Sequence, residues 1–433
     1  MSSKLLPALA ALLLLSGCGD AEQAPSESSI AAESARDTAA AAEPSESVPE
    51  PENASSTREP EETRPPNAEW QTPAFDGQTR APQPATSAEW RLETVAQGLE
   101  HPWALEILPD GAFLVTERPG NLRIVSTDGS VGEPISGVPE VHAVAQGGLL
   151  DVALAPDFEQ SRRIYLTFSE PTDSASRTAA ASATLSEDRT ELTDVQVIFR
   201  QHPEFQSRGH YGSRIVFDPE GRIYITTGDR MDRSRELAQD PSNTIGTVAR
   251  INPDGSIPAD NPFVGDSDRA DAIWSWGHRN IQAAARHPES GELWTIEHGP
   301  AGGDELNNPE AGRNYGWPAV TYGENYSGSK VTEGITQRND VEQPVYYWDP
   351  VIAPSGMTFY TGDAFPVWQG DLFIGGLASA RVVRLVFDGD RVAAEEWLPV
   401  GERVRDVIQG PDGHLYLVTD MDNGKIMRIL PAG

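Results

Sequence analysis

The chain has 433 residues, enough to bury a large core as one big domain or two smaller ones. Its formal net charge of −33 at pH 7 argues against nucleic acid as a partner, because phosphate binding demands a basic face. The only cysteine is Cys18, which excludes an intrachain disulfide and any cysteine-based metal site.

The N-terminal stretch MSSKLLPALAALLLLSGCGD carries one lysine and then an apolar run from Leu5 to Leu15. That run is too short to span a bilayer. It ends in Leu15-Ser16-Gly17-Cys18, which resembles the lipobox of bacterial lipoproteins. The resemblance implies a signal peptide over residues 1–17 and lipidation of Cys18. Gly19, rather than aspartate, follows, and this implies an outer-membrane lipoprotein, periplasm-facing or surface-exposed, that touches the membrane only through its lipid anchor. Residues 18–86 are mostly Ala, Glu, Ser, Pro and Thr, and residues 20–66 hold twelve acids against three bases. Such a composition buries too little apolar surface to offset chain entropy, so a disordered acidic tether is expected there.

From residue 87 to 433 the pattern changes to apolar strand, Pro-Asp-Gly-like turn, second strand. It begins with LEILPDGAFLVTERPGNLRIV at Leu105 and returns with ALAPDFEQSRRIYLTFSE at Ala153 and RIVFDPEGRIYITTGD at Arg214. RHPESGELWTIEHGP at Arg286, QGDLFIGGLASARVVRLVFDG at Gln369 and GPDGHLYLVTDMDNGKIMRIL at Gly410 complete the series. Six units of about 57 residues suit four-stranded blades with generous loops. The expected fold is all-β: a six-bladed β-propeller of four-stranded antiparallel blades behind a disordered tether.

Several segments are not explained by the repeat: Gln146-Gly147-Gly148-Leu149, Arg208-Gly209-His210-Tyr211-Gly212, GHRN at 277–280 running on to GRNYGWP at 312–318, and Arg403-Val404-Arg405-Asp406. A strand needs no imidazole at its mouth, so His210 stands out, although a histidine in such a loop is commonly structural. Arg403 and Arg405 are one residue apart on a strand and so point the same way.

Taken in this order, QGGLLDVALAPDF, HYGSRIVFDPEGRIYITTGD, WGHRN, EHGPAGGDELN, GRNYGWP and RVRDVIQGPDGHLYLVTD resemble the glucose/sorbosone dehydrogenase family, and most closely its aldose sugar dehydrogenases. The resemblance runs from about residue 90 to the C-terminus. It implies a quinoprotein oxidoreductase that oxidises the anomeric carbon of an aldose to a lactone, with pyrroloquinoline quinone and Ca²⁺ as cofactors. By that resemblance His210 is the catalytic base and Arg279 stabilises charge on the reduced quinone. Gln146, Asn280, Tyr326, Ala378, Ser379, Arg403 and Arg405 match cofactor-contacting positions, the two last arginines as holders of carboxylates. The backbone carbonyls of Gly299 and Pro300 match ligands of one Ca²⁺; Glu305 and the Tyr315 backbone match a second, structural one. Gly209 and Ala378 depart from the glucose dehydrogenases, which have aspartate and lysine there, and point to the aldose branch. The electron acceptor, a cytochrome or a quinone, is not specified.

Two other readings remain open on the sequence. A Ca²⁺-dependent sugar lactonase would line its channel with carboxylates and asparagines. A non-catalytic carbohydrate-binding propeller would fail to bind the quinone. Tyr346, Tyr347 and Trp348 are candidates for stacking on a sugar or for the core.

Overall fold

The computed structural model describes residues 58–433, so the leader and Cys18 lie outside the described residues. Six four-stranded antiparallel sheets account for the strands. Blade 1 holds β2 (Pro102–Ile107), β3 (Phe113–Glu117), β4 (Asn121–Val125) and β5 (Val131–Pro134). Blade 2 holds β6 (Leu149–Leu154), β7 (Arg163–Pro171), β8 (Ser176–Leu185) and β9 (Leu192–Arg200). Blade 3 holds β10 (Ile215–Phe217), β11 (Ile223–Thr226), β12 (Thr247–Ile251) and β13 (Ile273–Trp276). Blade 4 holds β14 (Ile281–Arg286), β15 (Leu293–Glu297), β16 (Asp304–Asn307) and β17 (Tyr346–Trp348). Blade 5 holds β18 (Pro354–Phe359), β19 (Leu372–Gly376), β20 (Arg381–Asp388) and β21 (Arg391–Pro399).

Blade 6 closes the ring. It takes β22 (Val404–Gln409), β23 (Leu415–Thr419) and β24 (Gly424–Pro431) from the C-terminus, and β1 (Trp90–Leu99) pairs with β24 as its outer strand. The first strands of successive blades adjoin one another from β2 through β6, β10, β14, β18 and β22 back to β2. This ring is the propeller axis.

The turn chemistry explains the repeat. At 218–222 the Asp218 carboxylate accepts from the amides of Glu220 and Arg222 at 3.0 and 2.8 Å, and Gly221 takes φ +82°. Four of the six sequence units fall on the first two or three strands of their blade; those at Gln369 and Gly410 begin one strand later, on β19 and β23. Between blades the apolar faces pack into separate clusters, such as Trp103, Leu149 and Phe168 between blades 1 and 2, and Phe373, Val407 and Leu417 between blades 5 and 6. Each fully buried Leu, Val or Phe contributes about 1.5–3 kcal/mol. Tyr346, Tyr347 and Trp348 form β17 and are buried, so they are core residues.

One boundary differs from expectation. Residues 58–86 are not a tether: they lie on blades 4 and 5, with Ala68, Gln78 and Ala81 buried. The amides of Asn67 and Ala68 donate to the Asp349 carboxylate at 2.9 and 3.0 Å, and the Ala81 amide donates to Tyr346 Oη at 2.8 Å. Backbone hydrogen bonding, rather than apolar bulk, orders a segment whose composition reads as disordered.

Candidate active site

At the end of the ring where the inner strands begin, a cavity of about 260 Å³ is walled by His210, Arg118, Arg279, Arg403, Arg405 and Asp420, with Gln146, Asn280, Gln282, His298, Gly299 and Tyr326 also contributing. Larger hollows exist: about 470 Å³ at the β1/β24 edge and about 710 Å³ around Glu106, where the inner strands end. Neither collects a comparable set of convergent cationic groups, so chemistry and not size selects the site.

His210 lies between β9 and β10, buried, with φ +51° in the left-handed region that a non-glycine residue rarely adopts. Its amide donates to Gln146 Oε1 at 2.8 Å. A Cβ on Gly209 would stand 2.8 Å from that same oxygen, so close approach accounts for glycine at a position where an aspartate would crowd Gln146. Nδ1 of His210 lies 2.6 Å from Asp229 Oδ1, while Asp229 also accepts from the Met231 amide and from Trp317 Nε1, each at 2.7 Å. Burial opposes ionisation of Asp229, but His210, Arg279 and these hydrogen bonds outweigh it and lower its pKa. The ionised carboxylate places the proton on Nδ1. Nε2, without a hydrogen-bond partner among the described residues, is left to the cavity. Burial, then the charge of Arg279, pushes His210 below 6.5 despite Asp229. The site therefore holds a neutral, oriented imidazole.

Opposite stands a cluster of guanidinium groups. Arg405 donates to Gln282 Oε1 at 2.9 Å and to Asp420 Oδ2 at 2.7 Å. Arg403 and Arg118 approach the same carboxylate at 3.4 Å each. Burial would raise the Asp420 pKa, but Arg405 and Arg118 hold it well below the usual range. One carboxylate shared by three arginines leaves the cavity positive. Arg118, Arg279 and Arg405 each bury an Nε without a partner. The guanidinium groups of Arg118, Arg279, Arg403 and Arg405 line one cavity, a lining that suits a planar ligand bearing several carboxylates.

The expected metal positions are divided. Gly299 lines the cavity, but its carbonyl accepts from Arg279 Nη1 at 2.8 Å, as does that of His298 at 2.9 Å. Pro300 lies outside the lining, packed on Gly323. Glu305, on β16, faces Glu297 across the sheet; burial, then the Glu297 charge, pushes its carboxyl well above the usual range. Only the ionised form of that carboxyl would serve a hard cation as an oxygen ligand. The Tyr315 ring is buried and stacks on His278 at 4.8 Å. Among the described residues no group of three or more His, Cys, Asp or Glu is placed to hold a metal ion.

Of the expected cofactor contacts, Gln146, Arg279, Asn280, Tyr326, Arg403 and Arg405 converge, with Tyr326 exposed at the mouth. Ala378 and Ser379 do not. In the turn joining β19 to β20 it is Leu377 that faces the cavity, Ala378 points to solvent, and the Ser379 hydroxyl folds back against Gly376. Asp229, Arg118, Gln282, His298 and Asp420 escape the sequence reading. A signal for some of them was present: the second strand of a blade ends Thr-Glu-Arg at 116–118, Thr-Gly-Asp at 227–229 and Thr-Asp at 419–420, so the repeat itself delivers charge to the rim.

Against this geometry, comparisons with known proteins agree. The family profile described as Glucose / Sorbosone dehydrogenase matches residues 99–428. The chain is 45% identical over 352 residues to aldose sugar dehydrogenase YliI of Escherichia coli (strain K12), covering 80% of this chain and 94% of that protein. The apo-form crystal structure of the soluble aldose sugar dehydrogenase from Escherichia coli superposes with a TM-score of 0.76 at 44% identity, covering 79% of this chain and 99% of that one. The PQQ-bound aldose sugar dehydrogenase from Streptomyces coelicolor gives a TM-score of 0.66 at 28% identity, over 80% and 99% of the two chains. The chain belongs to the glucose/sorbosone dehydrogenase family, whose propellers include quinone-bound sugar dehydrogenases.

Proposed function

We propose that the protein is a quinoprotein oxidoreductase that oxidises the anomeric carbon of aldose sugars to the lactone. The observation that carries this reading is His210, backed by Asp229, lining one cavity with the guanidinium groups of Arg118, Arg279, Arg403 and Arg405. Pyrroloquinoline quinone, when bound, supplies the hydride acceptor for the anomeric C–H. Arg403, Arg405 and Arg118 would hold its carboxylates, and Arg279 would lie beside the charge that develops on reduction. Nε2 of His210 takes the proton of the anomeric hydroxyl as the C–H electron pair departs and the C=O bond forms. Asp229 holds the ring in place and offsets the charge of the resulting imidazolium. The electrons then leave to an external cytochrome or quinone.

Ca²⁺ belongs to the proposal at two places, the Gly299–Pro300 carbonyls and Glu305 with the Tyr315 backbone. At the first, the Gly299 carbonyl already accepts from Arg279 Nη1 at 2.8 Å, which leaves one lone pair for a cation. The lactonase alternative is disfavoured because Asp420 is the cavity's only carboxylate among the described residues, and arginines already hold it.

Titration of the purified protein with the quinone tests the binding half of the reading. Saturable binding is expected, and Arg405→Gln is expected to weaken it about 10- to 100-fold, the worth of one charge-assisted hydrogen-bonding group. Absence of binding in the unsubstituted protein would instead support the non-catalytic propeller. For localisation we propose anchoring through Cys18, on the strength of the apolar run that ends at this lone cysteine. Cys18→Ser should then move the protein from the membrane fraction to the soluble one, and an unchanged distribution would refute the anchor.

A further inference from the structure

The segment 58–86 lies outside the matched family region, which begins at residue 99, yet it is built into the same body as the propeller. An antiparallel bridge between Pro60 and Pro82 closes it into a loop. Its centre is Gln78, whose side chain is fully buried. Nε2 donates to the Pro344 carbonyl at 2.8 Å, and Oε1 accepts from the Ala74 amide at 2.7 Å. The Gln78 carbonyl accepts from the Tyr347 amide at 2.9 Å, which attaches the segment to the outer strand of blade 4.

Oε1 of Gln78 also lies 3.1 Å from Tyr322 Oη, whose single hydroxyl proton is shared with a nearer acceptor, Gln343 Oε1, at 2.6 Å. Tyr322 is fully buried and stacks on Tyr347, with ring centroids 4.0 Å apart and planes 14° from parallel. Its neighbour Gly323 lies so close to Pro300 that a Cβ there would stand 2.7 Å from Pro300 Cδ. The next residue, Glu324, exchanges two backbone hydrogen bonds with Ala301, at 2.9 and 3.0 Å. Two residues on, Tyr326 stands at the cavity mouth. A continuous path thus runs from Gln78 through Tyr322 to the 299–301 backbone and to the rim. A second attachment reinforces it: Lys330 Nζ sits 4.9 Å from the Trp70 ring centroid, and Gln337 donates to the Thr72 carbonyl at 3.2 Å.

We propose that residues 58–86 form a brace for the cavity rim and that Gln78 is a positioning residue, holding the Tyr322–Tyr326 loop against Gly299–Ala301. The brace reaches no reacting atom. It acts through two backbone segments, one presenting the Gly299 carbonyl to Arg279 and the other presenting Tyr326 to an entering ligand. Its effect on sugar capture rests on the quinoprotein reading; its effect on the rim does not.

Hydrogen exchange of the full chain without cofactor is the test. In Gln78→Ala, exchange at the Ala301 and Glu324 amides should quicken about tenfold or more, while β6–β9 on the far blade keep their rates. Tyr322→Phe, which keeps the stacked ring and loses the hydroxyl's bonds to Gln78 and Gln343, should give a smaller rise at the same amides. In the loaded enzyme both variants should raise KM for the sugar severalfold with kcat nearly unchanged. An exchange rise confined to residues 58–86 would overturn the proposal, as would a rise shared evenly by all blades. If no sugar is turned over by the unsubstituted protein, the quinoprotein reading fails while the exchange result still decides the brace.

Discussion

His210→Ala should lower kcat about 10²- to 10⁴-fold, the range that removal of a positioned general base produces. The quinone should still bind, because the substitution leaves Arg118, Arg279, Arg403 and Arg405 in place. Alanine also leaves the Asp229 carboxylate buried without its imidazole, so melting temperature must be followed alongside turnover. A protein that melts normally, binds quinone and does not turn over would place the loss on the proton transfer.

The pH profile adds a sign. Burial and Arg279 push the His210 pKa below 6.5, so the base is already neutral at pH 7 and activity should be flat there. It should fall only on the acid side, at a pH below 6.5, as the imidazole takes up a proton. Stability follows the same direction. Below 6.5 the unfolded chain's histidine binds a proton that the folded one resists, and the fold is penalised as the pH drops.

Asp229→Asn should cost a comparable factor, on the order of 10²–10⁴ in kcat, with little change in fold. The amide keeps roughly the volume and can still accept from Nδ1, but it carries no charge to offset the imidazolium. Asp229 is the group that raises the His210 pKa against burial and Arg279. Its loss should therefore shift the acid limb further down, and a purely structural role for Asp229 would not move that limb. Kinetics from pH 4 to 8 on the two proteins would show it; an unchanged limb would remove Asp229 from the proton transfer.

Much of this was legible in the sequence because a propeller writes its plan repeatedly. Alternating strands such as Ile223–Thr226, together with the Asp218 turn, recur often enough to give blade number and strand count. His210, Arg279 and Arg405 were legible as residues the repeat does not require. Asp229 and Asp420 were overlooked for the opposite reason: each sits at a regular strand end and looked like part of the repeat. The brace was hidden by composition. Its Pro, Glu and Thr content reads as disorder, and only Trp70 and Phe75 hint at packing; Phe75 in fact lies under Arg391, 4.7 Å away. Ala378 and Ser379 fall outside the cavity lining because a tight turn decides which of three consecutive side chains points inward, and Leu377 takes that place.

The central claim is that this cavity transfers hydride from a sugar with His210 as base. The most direct test reconstitutes the purified protein with pyrroloquinoline quinone and Ca²⁺, follows reduction of an electron-accepting dye with a panel of aldoses, and identifies the product. Dye reduction that needs the quinone, yields the lactone and collapses in His210→Ala is the predicted result. Tight quinone binding with equal turnover in His210→Ala would contradict the account, because the oxidation would then proceed without the base that the geometry supplies.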